Sequence, residues 1–266
     1  MRLTTIGTGT VSPSPTRVCA GHLVEAGDVR LLMDCGGGVV HRMAQLGLAW
    51  GEITHVALTH YHPDHVSDLV PLVMAFRYGQ LPARRAPLEI VGPPGVSAFL
   101  ERLTTALWPS MLEPGFRVDV REAPPGEPLE LGPGTTLASH KVPHTDESVA
   151  YSVEHAGRRF VYTGDTGPDA ALGAWAAGCD VLLAECSLPS DMAVDGHLTP
   201  ETAAELAAAA RPGLLALTHF YPPVERVDVA AIVGQRFDGP VALAVDGWRT
   251  ELGAATAAEA SATEDV

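Results

Sequence analysis

Lysine is almost absent from this chain. Its 266 residues include one lysine, Lys141, and 17 basic residues face 32 acidic ones, which gives a formal net charge of −15. Long polyanions such as tRNA are bound largely through Lys and Arg side chains that neutralise phosphates. We therefore do not expect long RNA as a partner, although bound divalent cations would cancel part of the negative charge locally.

Long apolar runs and paired cysteines are also missing. No stretch reaches the roughly 18 uncharged apolar residues of a membrane-spanning helix, and the first residues, MRLTTIGTGTVSPS, lack the apolar centre of a signal peptide. The cysteines are scattered without CxxC spacing, which favours reduced thiols over disulfides; they are Cys19, Cys35, Cys179 and Cys186. These absences predict a cytoplasmic protein with no membrane partner.

Short strand-like runs alternate with helix-like runs along most of the chain. Hydrophobic residues make up 46% of it, enough to bury a sizeable core, and the alternation with hairpins such as YSVEHAGRRFVY favours a mixed-sheet α/β protein. No linker divides the chain, so we expect a single domain over residues 1–252. The end of the chain, GAATAAEASATEDV, loses the core pattern, and this predicts a mobile tail over residues 253–266.

The most informative stretch is LTHYHPDHVSDLV, which contains the pattern HxHxDH. His60 and His62 are two residues apart in an extended segment and therefore point to the same side, where both can reach one ion. Pro63 turns the chain, and Asp64 and His65 follow where a helix begins, in position to serve a second ion. Imidazole and carboxylate groups are ligands that zinc accepts.

Further candidate ligands stand at the ends of later strand-like runs. They are His144 or His140 in SHKVPHTDES, Asp165 in VYTGDTGP and His219 in LLALTHFYPP. Loops at strand ends are where α/β proteins commonly carry functional groups, and an aspartate such as Asp165 could bridge two cations. A single histidine at a strand end is usually structural, but these residues together with HxHxDH favour a dinuclear metal site.

The motifs THYHPDH, HTDES, GDT and LTH resemble the successive motifs of the metallo-β-lactamase superfamily. TIGTG, LMDCGGG, EIVGPPGVSAFLERL and GHLTPETAAELA are similar to segments of its ribonuclease Z and phosphodiesterase branch, and the resemblance covers about residues 1 to 250. It implies an α/β (α+β) fold of the four-layer αββα sandwich type, with the site at one edge between two facing sheets.

The resemblance also implies a role for each candidate residue. One zinc would be held by His60, His62 and His144, the other by Asp64, His65 and His219, with Asp165 bridging the two. Asp64 would in addition take the proton of the metal-bound water. The family's ligand histidine precedes an S-x-x-Y segment, here Ser148 to Tyr151, which favours His144 and leaves His140 as a strand histidine or an outer partner.

His197 in DGHLT stands where the branch has a histidine near the metals. It is therefore a candidate to bind a phosphoryl oxygen or to protonate the leaving alkoxide, and a helix-capping loop is the alternative. Glu185, at the end of VLLAE, is a candidate to orient His197. Tyr221, just after His219, is a further candidate beside the site.

A dinuclear centre implies hydrolysis by a metal-bound hydroxide. Members of the branch that process tRNA carry a long arm between the third histidine and the bridging aspartate, and only about one hairpin joins His144 to Asp165 here. The first hypothesis is therefore a phosphodiesterase for a small or cyclic phosphodiester, or for a short nucleic-acid end.

Two other hypotheses remain open. One is a lactonase, β-lactamase-like or arylsulfatase-type hydrolase. Tyr221 supports this hypothesis, because lactonase relatives have a tyrosine near the site. The other is a non-catalytic metal-binding scaffold, which the complete ligand set disfavours. The ligand types suit Zn²⁺ and would also accept Mn²⁺ or Fe²⁺, and relatives often form dimers, so a homodimer is also an expectation.

Overall fold

The computed structural model describes residues 1–253. Of the expected mobile tail, residues 254–266 lie outside the described part, and the single domain over residues 1–252 stays a prediction. In residues 1–253 no helix combines the length and the apolar composition that crossing a bilayer requires.

Strands predominate in the described residues, and helices are inserted singly or in pairs between them. The strands are β1 (Arg2–Gly7), β2 (Gly21–Ala26), β3 (Val29–Met33), β4 (His55–Ala57), β5 (Leu88–Gly92), β6 (Val118–Glu122), β7 (Leu129–Gly132), β8 (Thr135–Lys141), β9 (Val149–His155), β10 (Arg158–Tyr162), β11 (Val181–Glu185), β12 (Leu214–Thr218), β13 (Val241–Leu243) and β14 (Arg249–Glu251). The helices are α1 (Val39–Gln45), α2 (Pro63–Val66), α3 (Leu69–Tyr78), α4 (Val96–Ala106), α5 (Ala170–Trp175), α6 (Pro200–Ala210) and α7 (Val229–Val233).

The strands form two seven-stranded sheets with related layouts. The first has the order β14-β1-β2-β3-β4-β5-β6 and the second β13-β12-β11-β10-β9-β8-β7. In each sheet an antiparallel part joins a parallel part: β3 to β6 are parallel in the first sheet, and β10 to β13 in the second. Parallel neighbours need a crossover, and most of these crossovers carry the helices.

Apolar residues separate into three clusters that define four layers. Residues of both sheets, such as Met33, Phe160 and Leu183, pack against each other in the middle. α1, α3 and α4 cover the outer face of the first sheet, and α5, α6 and α7 cover that of the second. Because helices cover both outer faces, the parallel strands are buried on both sides and read as continuous apolar runs. The predicted αββα sandwich is confirmed.

The hairpin of β9 and β10 is short. His155 pairs with Arg158, so Ala156 and Gly157 alone form the turn, with φ values of 50° and 72°. Positive φ at both central residues is typical of the tight turns whose twist matches that of the strands. The chain between His144 and Asp165 is therefore one compact hairpin, and no arm projects from this stretch.

Candidate metal centre

The HxHxDH segment lies just after β4, at an edge where strand ends of both sheets meet. His60 and His62 are in extended chain, and Pro63 is the first residue of α2, where its missing N–H and fixed φ cost nothing. Asp64 and His65 are buried in that helix, His60 is buried, and His62 is exposed. This short segment thus brings four candidate ligands together, two from extended chain and two from the first turn of a helix.

Five overlapping groups of three side chains converge at this edge in the described residues, and two of the five include His197. In each group one nitrogen or carboxylate oxygen per residue lies within 4.8 Å of the others. We call His60, His62 and His144 the open half, because His62 is exposed and His144 half-buried. We call Asp64, His65 and His219 the buried half, because all three are buried. These two groups contain the residues that the family resemblance implies as ligands, and their role as ligands stays a prediction.

Asp165, in the loop after β10, lies between the two halves. Its Oδ1 is 3.3 Å from His65 Nε2, and its Oδ2 is 3.4 Å from His219 Nε2. Oδ2 also lies 3.9 Å from the Nε2 atoms of both His60 and His144. One carboxylate therefore faces histidines of both halves, which is the position that a bridging ligand requires.

The centre contains buried polar atoms that the protein itself leaves without partners. His60 Nε2, His65 Nε2, His219 Nε2 and Asp165 Oδ1 are all buried and accept or donate no hydrogen bond. Leaving such an atom unsatisfied costs about 1–3 kcal/mol. Ligand atoms about 2.0–2.1 Å from a tetrahedral zinc ion are about 3.4 Å apart, close to the distances around Asp165. The residues present therefore fit divalent metal ions.

In four of the five histidines of the two halves, the ring nitrogen that faces away from the centre is hydrogen-bonded. Such partners fix the ring orientation and the tautomer of a metal ligand. In the buried half, Asp34 Oδ2 lies 2.8 Å from His65 Nδ1. The other contacts are Thr59 Oγ1 with His60 Nδ1 (3.1 Å), Gly196 O with His144 Nδ1 (2.9 Å) and Ser187 Oγ with His219 Nδ1 (3.0 Å).

Asp34 is a residue that the sequence analysis did not single out. It follows β3 and is fully buried, and its carboxylate accepts hydrogen bonds from the Thr59 N–H (2.8 Å) and the Tyr162 hydroxyl (3.0 Å) in addition to contacting His65. The available signal was the acidic residue that closes the apolar run VRLLM before CGGG. Its partners are distant in sequence, so its role follows only from the tertiary structure.

Left-handed backbone marks two of the residues at this edge. Asp34 has φ 58° and His219 has φ 59°, a region that costs a non-glycine residue energy and is enriched at functional sites. Each follows a central parallel strand, β3 or β12. The surrounding hydrogen bonds hold these residues in a conformation that the free chain would seldom adopt.

The buried charges are strongly coupled. Burial alone would lower the pKa of His65, but the carboxylates of Asp165 and Asp34 outweigh it and raise that pKa well above its usual range. Burial would raise the pKa of Asp165, and the neighbouring His219 and His65 instead hold it well below the usual range. The Asp64 carboxyl, which also faces His219, has a lowered pKa despite its burial. Both carboxylates are therefore ionised at neutral pH and suited to bind cations.

His197 lies beside the centre and is held by Glu185. Glu185 is fully buried, and its two carboxylate oxygens lie 3.1 and 3.2 Å from His197 Nδ1. Burial lowers the pKa of His197, but the hydrogen bond and charge of Glu185 outweigh it and raise that pKa. Thr199 caps α6 directly after His197 in a reciprocal pair with Thr202, so the histidine precedes a well-anchored helix start. This contact is the one that the expected role of Glu185 requires, and that role stays a prediction.

The two remaining candidates differ in position. His140 lies in β8, where its Nε2 is 3.6 Å from Asp169 and its ring stacks on Trp175 at 5.1 Å. It is not among the side chains that converge at the centre. The Tyr221 ring is 6.1 Å from the His219 ring and 6.5 Å from the His197 ring, centroid to centroid, so it borders the site without bonding to these histidines.

Comparisons with known proteins agree with this geometry. The chain matches the Beta-lactamase superfamily domain over residues 29–220. The ribonuclease Z of Mycolicibacterium gilvum (strain PYR-GCK) is 31% identical over 278 residues, which span 95% of this chain and 96% of that protein. The metallo-beta-lactamase fold protein YhfI from Bacillus subtilis superposes with a TM-score of 0.81 at 26% identity, over 94% of this chain and 98% of that one. Human tRNase Z, short form, superposes with a TM-score of 0.76 at 26% identity, over 95% and 99% of the two chains.

Proposed function

The chain belongs to the beta-lactamase superfamily, and we propose that it is a metal-dependent phosphodiesterase that works with two divalent ions. The observation that carries the proposal is the position of Asp165 between two complete groups of ligands. His60, His62 and His144 would hold one ion, and Asp64, His65 and His219 the other. Zinc is the proposed native metal, because it accepts both imidazole and carboxylate ligands.

The remaining residues have defined tasks in this proposal. Two divalent ions supply a nucleophile from water at neutral pH and bind oxygens of the reacting group. Asp64, ionised at neutral pH, accepts the proton of the attacking water. His197, kept protonated to higher pH by Glu185, donates a proton to the leaving oxygen. Each catalytic proton thus has an acceptor or a donor on this chain.

Small phosphodiesters suit the surroundings of this centre better than long RNA. The loop that carries His144 presents the exposed side chain of Asp146, and the segment before His197 presents Asp191 and Asp195. These carboxylates would repel successive backbone phosphates, and the short β9–β10 hairpin offers no extended arm. We therefore propose a small or cyclic phosphodiester, or a short nucleic-acid end, as the substrate.

Cleavage of precursor tRNA is the second candidate. It is favoured by the 31% identity to a protein named ribonuclease Z and by the 26% identity to human tRNase Z. The ribonuclease Z and tRNase Z relatives lend no support to the lactonase, β-lactamase-like, arylsulfatase-type and scaffold hypotheses. These hypotheses are retained only as outcomes of the test, and a homodimer stays a prediction.

The test is a rate comparison on protein of known metal content. Bis(p-nitrophenyl) phosphate, a cyclic nucleotide, a precursor tRNA with a 3′ trailer and a simple lactone are assayed side by side. His62→Ala is the blank, and His155→Ala, on the β9–β10 hairpin, is the matched histidine control. We expect phosphodiester turnover that His62→Ala abolishes and His155→Ala retains.

Each contrary outcome has a definite meaning. Faster turnover of the precursor tRNA than of any small diester would replace the proposed substrate by the second candidate. A dominant lactone rate would overturn the phosphodiesterase, and two bound metal ions without turnover of any of the four substrates would indicate a scaffold.

A further inference from the structure

The single lysine of the chain closes the loop that carries His144. Lys141 is the last residue of β8, and its Nζ donates to the carbonyl oxygens of Val142 (2.8 Å), Thr145 (2.6 Å) and Ser148 (3.3 Å). An ammonium group has three donors, so all of them are used within one loop of seven residues, 142–148. In the described part of the chain no carboxylate oxygen lies within 4.0 Å of this Nζ, although Asp146 and Glu147 belong to the same loop.

The loop also has bonds of its own: the Val142 N–H donates to the Ser148 carbonyl at 3.1 Å, the Ser148 N–H donates to the Thr145 carbonyl at 3.3 Å, and the Pro143 carbonyl accepts from the Gly167 N–H at 2.8 Å. The Thr145 N–H donates to Ser148 Oγ at 3.1 Å, and the two hydroxyl groups are 2.5 Å apart. The His144 N–H donates to the carbonyl of Val142 at 3.1 Å. Three carbonyl dipoles that converge on one point repel each other, and the ammonium turns that repulsion into attraction. Lys141 therefore adds three charge-assisted hydrogen bonds to a loop whose other bonds are neutral.

His144 is carried by this loop, and its ring is also held from outside the loop by the Gly196 carbonyl, 2.9 Å from Nδ1. His60 is buried and follows β4, whereas His144 is half-buried and lies within loop 142–148. Its Nε2 must reach both the His62 Nδ1, at 3.1 Å, and the Asp165 carboxylate, at 3.9 Å. A change in the path of the loop would move this nitrogen, while the buried half would keep its geometry.

We propose that Lys141 is a positioning residue of the metal centre: its ammonium group holds loop 142–148 in the shape that aims His144 at the open half. The inference rests on the proposed function, because it presumes that the two halves bind metal ions. It assigns Lys141 an effect on one of the two ions. A lysine that only stabilised the fold would affect both ions equally or neither.

The test measures zinc binding by the apoprotein in competition with a chromophoric chelator. Lys141→Met removes the ammonium, and Lys141→Arg keeps a positive charge and several donors. Arg30→Met is the matched control, because the Arg30 guanidinium donates to the carbonyls of Gly27 and Val29 in a hairpin turn of the other sheet. The melting temperature of each apoprotein is recorded alongside.

We expect Lys141→Met to weaken one of the two zinc ions by about tenfold or more, the order seen when an outer partner of a metal ligand is removed. The other ion should bind within about twofold of the wild-type affinity, Lys141→Arg should lie closer to wild type, and Arg30→Met should change neither ion. Unchanged affinities in Lys141→Met, or equal weakening of both ions, would overturn the inference. A wild-type protein that binds fewer than two ions would instead overturn the metal centre itself, and the inference with it.

A chemical experiment covers the case in which Lys141→Met does not fold. An N-hydroxysuccinimide acetate ester acylates amines: the new N–C bond forms as the ester C–O bond breaks, and the amine loses a proton. The sequence offers two amines, the N-terminus and the exposed Lys141. Acylation of folded wild-type apoprotein should weaken the same single ion, and acylation of Lys141→Arg should not. Equal effects on the two proteins would contradict the proposal.

Discussion

In the buried half, two of the three residues stand on a helix beside a buried carboxylate, whereas all three residues of the open half lie outside helices and strands. Asp64 and His65 stand on α2, and Asp34 holds His65 at 2.8 Å. In the open half, His62 is exposed, and the outer contacts are a hydroxyl on His60 and a backbone carbonyl on His144.

A charged, buried hydrogen bond is stronger and more restrictive than a neutral one at the surface. We therefore expect the buried half to bind its ion more tightly and to exchange it more slowly. The open half, which solvent reaches through His62, is the side from which substrate can approach. Under the proposed function, the ion of the buried half would be bound more tightly, and the ion of the open half would be the one that contacts the substrate.

The largest effect is expected where the two halves meet. Asp165→Asn keeps the size of the side chain and removes the charge that faces both halves. We expect the loss of both bound ions and a fall in kcat/KM of at least about 10³-fold, the combined scale of losing metal activation and proton transfer. Metal analysis and steady-state rates check this, with Asp169→Asn as the control outside the centre. Retention of one full equivalent of metal would show that Asp165 serves one half only.

A smaller, one-sided effect is expected from Asp34→Asn. The amide cannot match the bonds that the carboxylate makes with His65, Thr59 and Tyr162, so the affinity for the ion of the buried half should fall about 10–100-fold. Chelator competition measures it, and Asp28→Asn, in the turn between β2 and β3, is the control. Weakening of the open-half ion instead would contradict the assignment of the two halves.

The effect of Glu185→Gln should appear mainly in the pH profile. Glu185 raises the pKa of His197, so the protonated ring persists to a higher pH, and the rate should fall as pH rises through that raised pKa. Without the charge of Glu185, the rate should begin to fall at a lower pH. At pH values well below the pKa of His197, the rate should change little. Rates measured from pH 5 to pH 9 on the preferred diester check this. An unshifted profile would exclude His197 as the proton donor.

The smallest effect is expected for the histidine that the structure keeps apart from both halves. His140 contacts Asp169 and Trp175, so His140→Ala should leave metal content at two equivalents and change the rate by less than about threefold, as for a residue outside the active site. His144→Ala, four residues along the chain, should lose the ion of the open half. Equal losses in both variants would mean that metal content does not distinguish His140 from His144 as the ligand.

Residue types and their spacing indicate most of the side chains that converge at this edge, and their role as metal ligands stays a prediction. HxHxDH places four side chains by local geometry alone, because an extended segment followed by a helix start allows few arrangements. Asp165 and His219 were predictable as polar residues that close apolar strands. The layered fold followed from a family resemblance and not from counting strands, since a strand's partner in a sheet is not a local property.

Other features were decided by tertiary structure alone. Asp34 acquires its role because β3 ends beside α2 and β10, which brings its carboxylate to His65 and Tyr162. Likewise Asp246, for which the sequence suggested no role, accepts hydrogen bonds from Thr8 N and Val18 N at 2.9 Å, more than two hundred residues away. When the hydrogen-bond partners of a side chain are distant in sequence, no local sequence pattern predicts them.

The sequence by itself determined which chemistry this chain can hold: the donor atoms, their order and the shortage of positive charge near them. The tertiary structure decided which donors face each other, which half is shielded from solvent, and which loop carbonyls the Lys141 ammonium contacts. The physical reason is that ligand type and short spacing are set by covalent geometry, whereas burial and long-range hydrogen bonds arise only when the two sheets pack together.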